Sequence, residues 1–218
     1  MPLNSQRNNL RSIPLTIRFH KGDLPNLNHY DGDVAIDTET LGLNPLRDRL
    51  CVVQLSPGDG TADVVQIAMR QNKAPNIQKL LKDKSKTKIF HFARFDIAVL
   101  LHTFGVEVTP VFCTKVASRL TRTYTDRHGL KDLVRELADI DMSKQQQSSD
   151  WASETLSEAQ IEYAASDVLY LHELRRKLQV RLEREKRGKL ADACFNFLPA
   201  RARLDLAGWD EEDIFSHS

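Results

Sequence analysis

Two acidic residues end an apolar segment early in the chain. The segment of residues 34–36, Val-Ala-Ile, leads into Asp37-Thr-Glu39. In a strand, the i, i+2 spacing directs both carboxylates to one face. A solvated strand end is the simplest interpretation of such a pair. The apolar residues before it favour a buried strand instead, and a buried acidic pair needs a partner cation.

Two further acids stand beside other apolar segments. Asp96 follows the segment 88–92 and lies in the first turn of a predicted helix, where a favourable interaction with the helix dipole is the structural alternative. Asp167 comes four residues after Tyr163, so the two side chains share one helix face that includes part of an apolar stripe. An unpaired buried aspartate is costly, which favours a ligand role for Asp167.

The four acids together predict a binuclear metal site. Two carboxylates about 4 Å apart repel each other by on the order of 4 kcal/mol at an effective dielectric constant near 20, so a cluster holds its charge only around cations. Oxygen ligands select hard divalent ions, Mg²⁺ or Mn²⁺. Two such ions activate a water on one side of a phosphodiester and stabilise the leaving oxygen on the other. Hydrolytic phosphoryl transfer is therefore the hypothesis.

Five short apolar segments are predicted to form the sheet that positions these residues. The first three are joined by short connections, which predicts an antiparallel meander, and their nearly continuous apolar character indicates that helices cover both faces. The predicted strands are 34–39, 51–56, 64–67, 88–92 and 111–113. Helices between and after the later strands give an α/β domain with a mixed sheet.

The predicted helices follow the 3.6-residue apolar period and its end signals. They cover residues 76–82, 94–104, 115–120 and 130–138, followed by a long helix from Ser157 to about Glu185. The long helix has the strongest start, because Ser157 at the N-cap and Gln160 three residues later form a capping box. This helix carries Tyr163 and Asp167.

Composition excludes several classes of protein. The chain has 218 residues, a formal net charge of +1 and 41% apolar residues, which predicts a folded core rather than a disordered chain. Its longest aliphatic run, residues 97–101, is far shorter than the roughly 20 residues of a membrane span, and the first 13 residues lack a signal-peptide pattern. We therefore expect a cytoplasmic protein with no membrane partner, in which Cys51, Cys113 and Cys194 are reduced core thiols.

The acidic motifs resemble those of the DEDD superfamily of 3'-5' exonucleases, in the tyrosine-bearing (DEDDy) subclass that includes ribonuclease D. Asp37-Thr-Glu39, Asp96 and Tyr163-Ala-Ala-Ser-Asp167 match its three motifs, and Ser149-Asp-Trp151 extends the third. The resemblance covers about residues 30–185. It implies an RNase H-like α/β fold and a 3'-5' exoribonuclease that uses two divalent cations.

Within that superfamily the chain is most similar to the short nanoRNases of the NrnC type. The segment 37–45, Asp-Thr-Glu-Thr-Leu-Gly-Leu-Asn-Pro, and His91-Phe-Ala-Arg-Phe-Asp96 carry this likeness. It implies hydrolysis of very short RNA, dinucleotides above all, and a homo-oligomeric ring, an octamer. The chain departs from the broader ribonuclease D pattern at Phe92, where Asn is frequent, and at Cys113, where Asp is frequent.

The resemblance also implies roles for individual residues. Asp37 would bridge both cations, Glu39 and Asp167 would complete the nucleophile-side ion, and Asp96 would bind the leaving-group ion. Tyr163 would orient the attacking water, since a phenol with a pKa near 10 is a poor base at neutral pH. A tyrosine that merely packs is the alternative.

Three residues beside the acids are candidates for substrate binding. Leu43 would act as a wedge between the last two bases, with anchoring of its loop to the core as an equally favoured alternative. Thr40 and Arg94 flank the acids and are candidates for contact with a base or phosphate.

The predicted domain organisation has three parts. Residues 1–13 form a flexible extension, 14–190 form the exonuclease domain, and 191–218 form a segment that packs against the domain or contacts another subunit. Two other functions stay open. One is a broader exonuclease acting on longer RNA or DNA, and the other is an inactive exonuclease fold that binds nucleic acid or a protein partner.

Overall fold

The computed structural model describes residues 16–142, 146 and 149–217, so the predicted extension 1–13 lies outside the described residues. Six strands form one mixed sheet in the order β1-β4-β3-β2-β5-β6. The strands are β1 (Thr16–Lys21), β2 (Val34–Thr40), β3 (Leu50–Ser56), β4 (Thr61–Gln66), β5 (Lys88–Phe90) and β6 (Val111–Cys113).

The predicted meander is confirmed. β2 pairs antiparallel with β3, and β3 pairs antiparallel with β4, while β5 and β6 extend the sheet in parallel on the other side of β2. Every residue of β3 is buried, as expected for a central strand that is covered on both faces. The sequence predicts β5 to reach residue 92, but the strand ends at Phe90, and the backbone of Phe92 has a φ of 69°, which an extended strand does not allow.

The edge strand β1 is missing from the sequence prediction. It pairs parallel with β4 and is only partly buried, and its charged residues hide the strand pattern. Arg18 and His20 both contact the buried carboxylate of Asp63 on β4, at 2.8 and 2.7 Å, and the Tyr30 hydroxyl donates to the same carboxylate at 2.6 Å. Arg18 and His20 therefore add to the backbone pairing that attaches β1 to β4.

Seven helices cover the sheet in the described part of the chain. Four of them match predicted helices within one or two residues at their ends. The helices are α1 (Pro75–Lys82), α2 (Ala93–Phe104), α3 (Thr114–Thr121), α4 (Leu130–Ala138), α5 (Glu158–Leu169), α6 (Leu171–Arg184) and α7 (Gly188–Leu206). α5 lies across β1, β2, β3 and β4, whereas α2 contacts β2, β3, β5 and β6.

The prediction of one long helix from Ser157 to about Glu185 is wrong in one respect. The chain forms two helices, α5 and α6, which join at Tyr170. Ser166, one turn earlier, donates its hydroxyl hydrogen to the Tyr163 carbonyl at 2.7 Å, and such bonds favour bending of a helix. The break lets α5 follow the sheet while α6 packs against α3 and α4.

α7 spans the predicted boundary at residue 190. It begins at Gly188, and its buried residues face α2, α3 and β6. Phe195 and Leu198 are 5% and 7% exposed, so they are covered within the chain. Cys194 on the same helix is a free thiol but is only partly buried, which corrects its assignment to the core, while Cys51 and Cys113 are buried thiols as predicted.

Among the described residues, no helix has both the length and the apolar character that a membrane span requires.

Candidate active site

The parallel pairing of β2 with β5 brings the acidic motifs to one edge of the sheet. Asp37 and Glu39 lie in the last four residues of β2, and Asp96 lies in the first turn of α2, directly after β5. Because parallel strands end at the same edge, their carboxyl ends form the crevice in which α/β proteins commonly bind ligands. α5 crosses β2 and adds Tyr163 and Asp167 from above the sheet.

Asp37, Glu39 and Asp167 form the centre of the cluster. Each offers a carboxylate oxygen, and the three oxygens all lie within 4.8 Å of one another. Burial raises the pKa of Asp37 to about 7. Burial and then the charges of Asp37, Asp167 and Asp96 raise the pKa of Glu39 to about 9. Burial, with the Asp37 charge, also raises the pKa of Asp167 well above its ordinary range.

Asp96 completes the acidic group from the other side of β2. Its side chain is 3% exposed and accepts a hydrogen bond of 2.7 Å from the Thr38 hydroxyl. Burial is the main reason that its pKa is raised, and the Asp37 charge adds to it. Thr38 holds one oxygen of Asp96 in place, so the orientation of this carboxylate is set by the strand that carries Asp37.

The predicted capping box positions Tyr163 and Asp167. The Ser157 hydroxyl accepts from the Gln160 backbone N–H at 3.3 Å, and the Gln160 side chain accepts from the Ser157 N–H at 2.9 Å. Trp151 packs against Tyr163, with 6.1 Å between ring centroids. Burial and then the Asp167 charge raise the pKa of Tyr163 above its ordinary value of 10, so its hydroxyl stays protonated at neutral pH.

The residues of this cluster suit divalent cations. Partly buried carboxylates this close can all ionise only if positive charge is supplied between them. Among the described residues, no Cys/His set accompanies the acidic group, so the donor atoms are all oxygens, which suits Mg²⁺ or Mn²⁺. The oxygens of Asp37, Glu39 and Asp167 therefore fit the predicted cations, and a ligand role for these acids and for Asp96 stays a prediction.

The acids form the floor of a cleft of about 780 Å³, a size typical of small-molecule sites. Thr40 and Leu43 both line this cleft. Leu43 is 86% exposed, so it does not anchor its loop to the core, which removes the structural alternative for this residue. The Thr40 hydroxyl donates to the Gly42 carbonyl and thereby fixes the turn that presents Leu43.

Arg94 lies beside the cleft but is paired with the C-terminal helix. Its guanidinium donates two hydrogen bonds to Asp205 of α7, at 2.6 and 2.8 Å. Arg94 and Asp205 also line a neighbouring cavity of about 330 Å³ that shares Leu43 and Phe92 with the cleft. Contact of Arg94 with substrate stays a prediction, and its observed partner is the end of α7.

Phe92, Lys115 and His91 are among the cleft-lining residues that sequence reasoning did not select for the site. Phe92 precedes α2 with a φ of 69°, a left-handed conformation that Asn tolerates better than Phe. Lys115 lies over the Phe92 ring, with its Nζ 4.2 Å from the centroid. His91 bonds the Thr114 hydroxyl at 2.9 Å, and burial followed by the Lys115 charge lowers the pKa of His91 to about 3.

The position of Lys115 could have been inferred from the sequence. β6 is parallel to β5, so its carboxyl end meets the same edge of the sheet, and Lys115 lies two residues beyond it. Among the cleft-lining residues in the described part of the chain, Lys115 has the one cationic side chain.

Comparisons with known proteins agree with this geometry. A family model described as 3'-5' exonuclease matches residues 23–183. The ribonuclease D of Granulibacter bethesdensis is 39% identical over 158 residues, which are 72% of this chain and 39% of that protein. The chain thus spans about two fifths of the length of most of the ribonucleases D that it matches.

Solved structures give a fuller match. Brucella melitensis NrnC bound to pGG is 70% identical with a TM-score of 0.92, covering 94% of this chain and 100% of that chain. The same protein with bound Mg²⁺ is 69% identical with a TM-score of 0.90, covering 93% and 100%. Escherichia coli RNase D is 26% identical with a TM-score of 0.69, covering 78% of this chain and 45% of that chain.

The family match extends over far more than half of the chain and includes all four acids and Tyr163. The fold, the edge at which the acids meet and the matched residues agree, and this chain therefore belongs to the 3'-5' exonuclease family.

Proposed function

We propose that this protein is a metal-dependent 3'-to-5' exoribonuclease that hydrolyses short oligoribonucleotides, dinucleotides above all, to nucleoside 5'-monophosphates. The observation that carries the proposal is the set of carboxylate oxygens of Asp37, Glu39 and Asp167, all within 4.8 Å of one another on the floor of a cleft. The likeness to NrnC bound to pGG supports the choice of a short RNA substrate.

In this proposal the four acids hold two divalent cations, Mg²⁺ or Mn²⁺. Asp37 would be shared by both cations, Glu39 and Asp167 would complete one site, and Asp96 would complete the other. When bound, the cations lower the pKa of the attacking water and stabilise charge on the leaving 3' oxygen. The chain's own contribution is to fix the ligands, through β2 for Asp37 and Glu39 and through the Thr38 hydroxyl for Asp96.

Tyr163 orients the attacking water rather than removing its proton. Its pKa is raised above 10 by burial and by the Asp167 charge, so at neutral pH the phenol offers a hydrogen-bond donor and an acceptor oxygen. The Trp151 ring packs against it and limits its rotation. A positioned hydroxyl of this kind reduces the entropic cost of placing the nucleophile in line with the phosphorus.

The walls of the cleft suit a substrate with few phosphates. Lys115 provides its one cationic side chain in the described part of the chain, whereas gripping a long strand requires an extended basic track. Leu43, 86% exposed in the lining of the cleft, would separate two neighbouring bases. Phe92, 44% exposed beneath Lys115, offers an aromatic surface to a base.

The proposal is tested by the length dependence of hydrolysis. Equimolar 5'-labelled RNAs of two to ten nucleotides are incubated with the protein and Mg²⁺ or Mn²⁺, and kcat/KM is compared by length. We expect the dinucleotide to be cleaved at least tenfold faster than longer RNAs, with release of 5'-monophosphates. A dinucleotide with a blocked 3' hydroxyl should resist cleavage.

Other outcomes distinguish the competing functions. Equal rates at all lengths, or equal rates on DNA, would indicate a broader exonuclease. Binding without turnover in either metal would indicate an inactive module. Asp37→Asn is the control for contamination by another nuclease, because removal of the bridging ligand should abolish hydrolysis while the protein stays folded.

We also propose that the protein assembles as a homo-oligomeric ring, an octamer. The C-terminal part of the chain carries an exposed apolar patch, with Phe197 and Phe215 at 38% and 75% exposure and their rings 5.9 Å apart. Such a patch is typical of subunit contacts. Light scattering coupled to size-exclusion chromatography tests the subunit number, and Phe215→Asp should lower it. The cytoplasmic location stays a prediction.

A further inference from the structure

Gln54 is a buried polar residue whose amide has no partner in the described part of the chain. It lies in the middle of β3 with 0% of its surface exposed, and neither its Oε1 nor its Nε2 makes a hydrogen bond. Buried amides are almost always hydrogen-bonded, because removal from water without a partner is costly. An unsatisfied amide in the centre of a sheet therefore indicates that a partner belongs beside it.

The register of the sheet identifies that partner. Gln54 is directly opposite Asp37 in the antiparallel pair β2–β3, and opposite Val64 in the pair β3–β4. Directly paired residues place their side chains on the same face, with Cβ atoms about 5 Å apart. The Gln54 side chain therefore lies between an apolar neighbour and the carboxylate proposed to bridge two cations, beneath α5.

We propose that Gln54 is a positioning residue for the cation site, and that its side-chain N–H donates a hydrogen bond to the Asp37 carboxylate when the cations are bound. The amide nitrogen is three bonds beyond Cβ, which is sufficient to reach the neighbouring carboxylate. The inference rests on the proposed cation site but does not depend on which RNA is cleaved.

The chemistry of a bridging carboxylate explains why it needs this donor. Two oxygens offer about four lone-pair positions, and two cations use only two of them. A neutral amide satisfies one of the remaining positions without competing for the cations, as a lysine or arginine would. Partners of this kind orient metal-ligating carboxylates, and their loss typically lowers metal affinity by roughly 10- to 100-fold.

The proposal predicts opposite effects on the cation-free and the cation-bound protein. Gln54→Met keeps the length of the side chain and removes the amide, so the cation-free protein should melt at a higher temperature than the wild type. The same variant should bind Mn²⁺ at least tenfold more weakly, measured by electron paramagnetic resonance without RNA. A purely structural glutamine would leave Mn²⁺ affinity unchanged.

Leu55→Met is the matched control. Leu55 is also fully buried in β3, but it is the next residue and faces the opposite side of the sheet. The variant Leu55→Met introduces a methionine at a buried position of the same strand without removing an amide. The Mn²⁺ affinity of this variant should therefore equal that of the wild type.

A direct measurement uses the wild-type protein and remains decisive if the variants fail to fold. In ¹⁵N-labelled protein, one side-chain N–H proton of Gln54 should shift downfield on addition of Mg²⁺, as a charge-assisted hydrogen bond forms. An unmoved Gln54 amide signal, or Mn²⁺ affinity of Gln54→Met within twofold of the wild type, would overturn the inference. Cation binding is measured without RNA. A protein that binds Mn²⁺ but cleaves no RNA would therefore refute the proposed exoribonuclease function and leave the role of Gln54 intact.

Discussion

The clustered acids should make the stability of the cation-free protein fall as pH rises. Burial raises the pKa of Asp37 to about 7, and burial with neighbouring charges raises that of Glu39 to about 9, whereas both titrate near pH 4 in the unfolded chain. Between the unfolded pKa values near 4 and the raised pKa values of the folded protein, the folded state retains protons that the unfolded state has released. The stabilising contribution is therefore complete below about pH 4 and is lost as pH rises through the folded pKa values.

The slope follows from the number of retained protons. Each proton held by the folded state alone lowers the free energy of unfolding by about 1.4 kcal/mol per pH unit. If the folded cluster retains one shared proton between pH 5 and 7, the free energy of unfolding falls by about 3 kcal/mol over that range. If Asp37 and Glu39 each retain a proton, the loss doubles. Against a typical total of 5–15 kcal/mol, the effect is large enough for denaturant titration.

Cations should remove this dependence, because they replace the protons. Urea unfolding is measured at pH 5, 6, 7 and 8 in EDTA and in saturating Mg²⁺. His91 and Lys88, whose pKa values burial lowers to about 3 and 8, also make stability depend on pH, but they do so equally in both series. The difference between the two series therefore isolates the acids.

Two results would refute the reasoning. One is a difference in the free energy of unfolding between the Mg²⁺ and EDTA series that does not grow with pH. This result would mean that the acids are ionised even without cations. The other is an unchanged slope in the variant Glu39→Gln, which removes one titrating group and should flatten the EDTA series. Titration calorimetry in two buffers of different ionisation enthalpy should also detect protons released when Mg²⁺ binds at pH 7.

Three further changes test other parts of the structure. Tyr163→Phe should lower kcat on a dinucleotide by roughly 10²-fold with unchanged Mn²⁺ affinity, and retained kcat would make this tyrosine a packing residue. Leu43→Ala should lower kcat/KM for the dinucleotide about fivefold, from the loss of roughly 1 kcal/mol of apolar contact, with little change for a decamer. Lys88 donates to three backbone carbonyls at 2.7–2.8 Å, so Lys88→Met should destabilise the protein by on the order of 3 kcal/mol in urea, and an unchanged midpoint would contradict this.

The meander and the acidic edge were predictable because their signals are local. β-branched runs identify β2 and β3, and the capping box at Ser157 identifies the start of α5 within one residue. The edge strand β1 was not predictable by the same criterion. Its two side-chain attachments, from Arg18 and His20, both converge on Asp63, a residue more than forty positions away, and no short-range pattern indicates such a partner.

The part of the site that sequence reasoning missed depends on pairing across the sheet. The acids were found because their type is unusual in apolar segments, whereas Gln54 becomes notable only when β3 places it opposite Asp37. Arg94 illustrates the converse. Its sequence position beside Asp96 favours a contact with substrate, but α7, which begins far along the chain, supplies the carboxylate that binds it.

The geometry of the cleft shows how a chain with a near balance of 31 basic and 30 acidic residues can attract a phosphate. The cleft floor cannot ionise fully without cations, and once they are bound its attraction for a phosphate comes from the cations rather than from basic side chains. Lys115 is the one basic side chain among the cleft-lining residues in the described part of the chain, so the attraction is concentrated at the acidic cluster. This distribution supports the proposal of a substrate with one internucleotide phosphate, because each additional phosphate of a longer strand would find no basic side chain in the cleft.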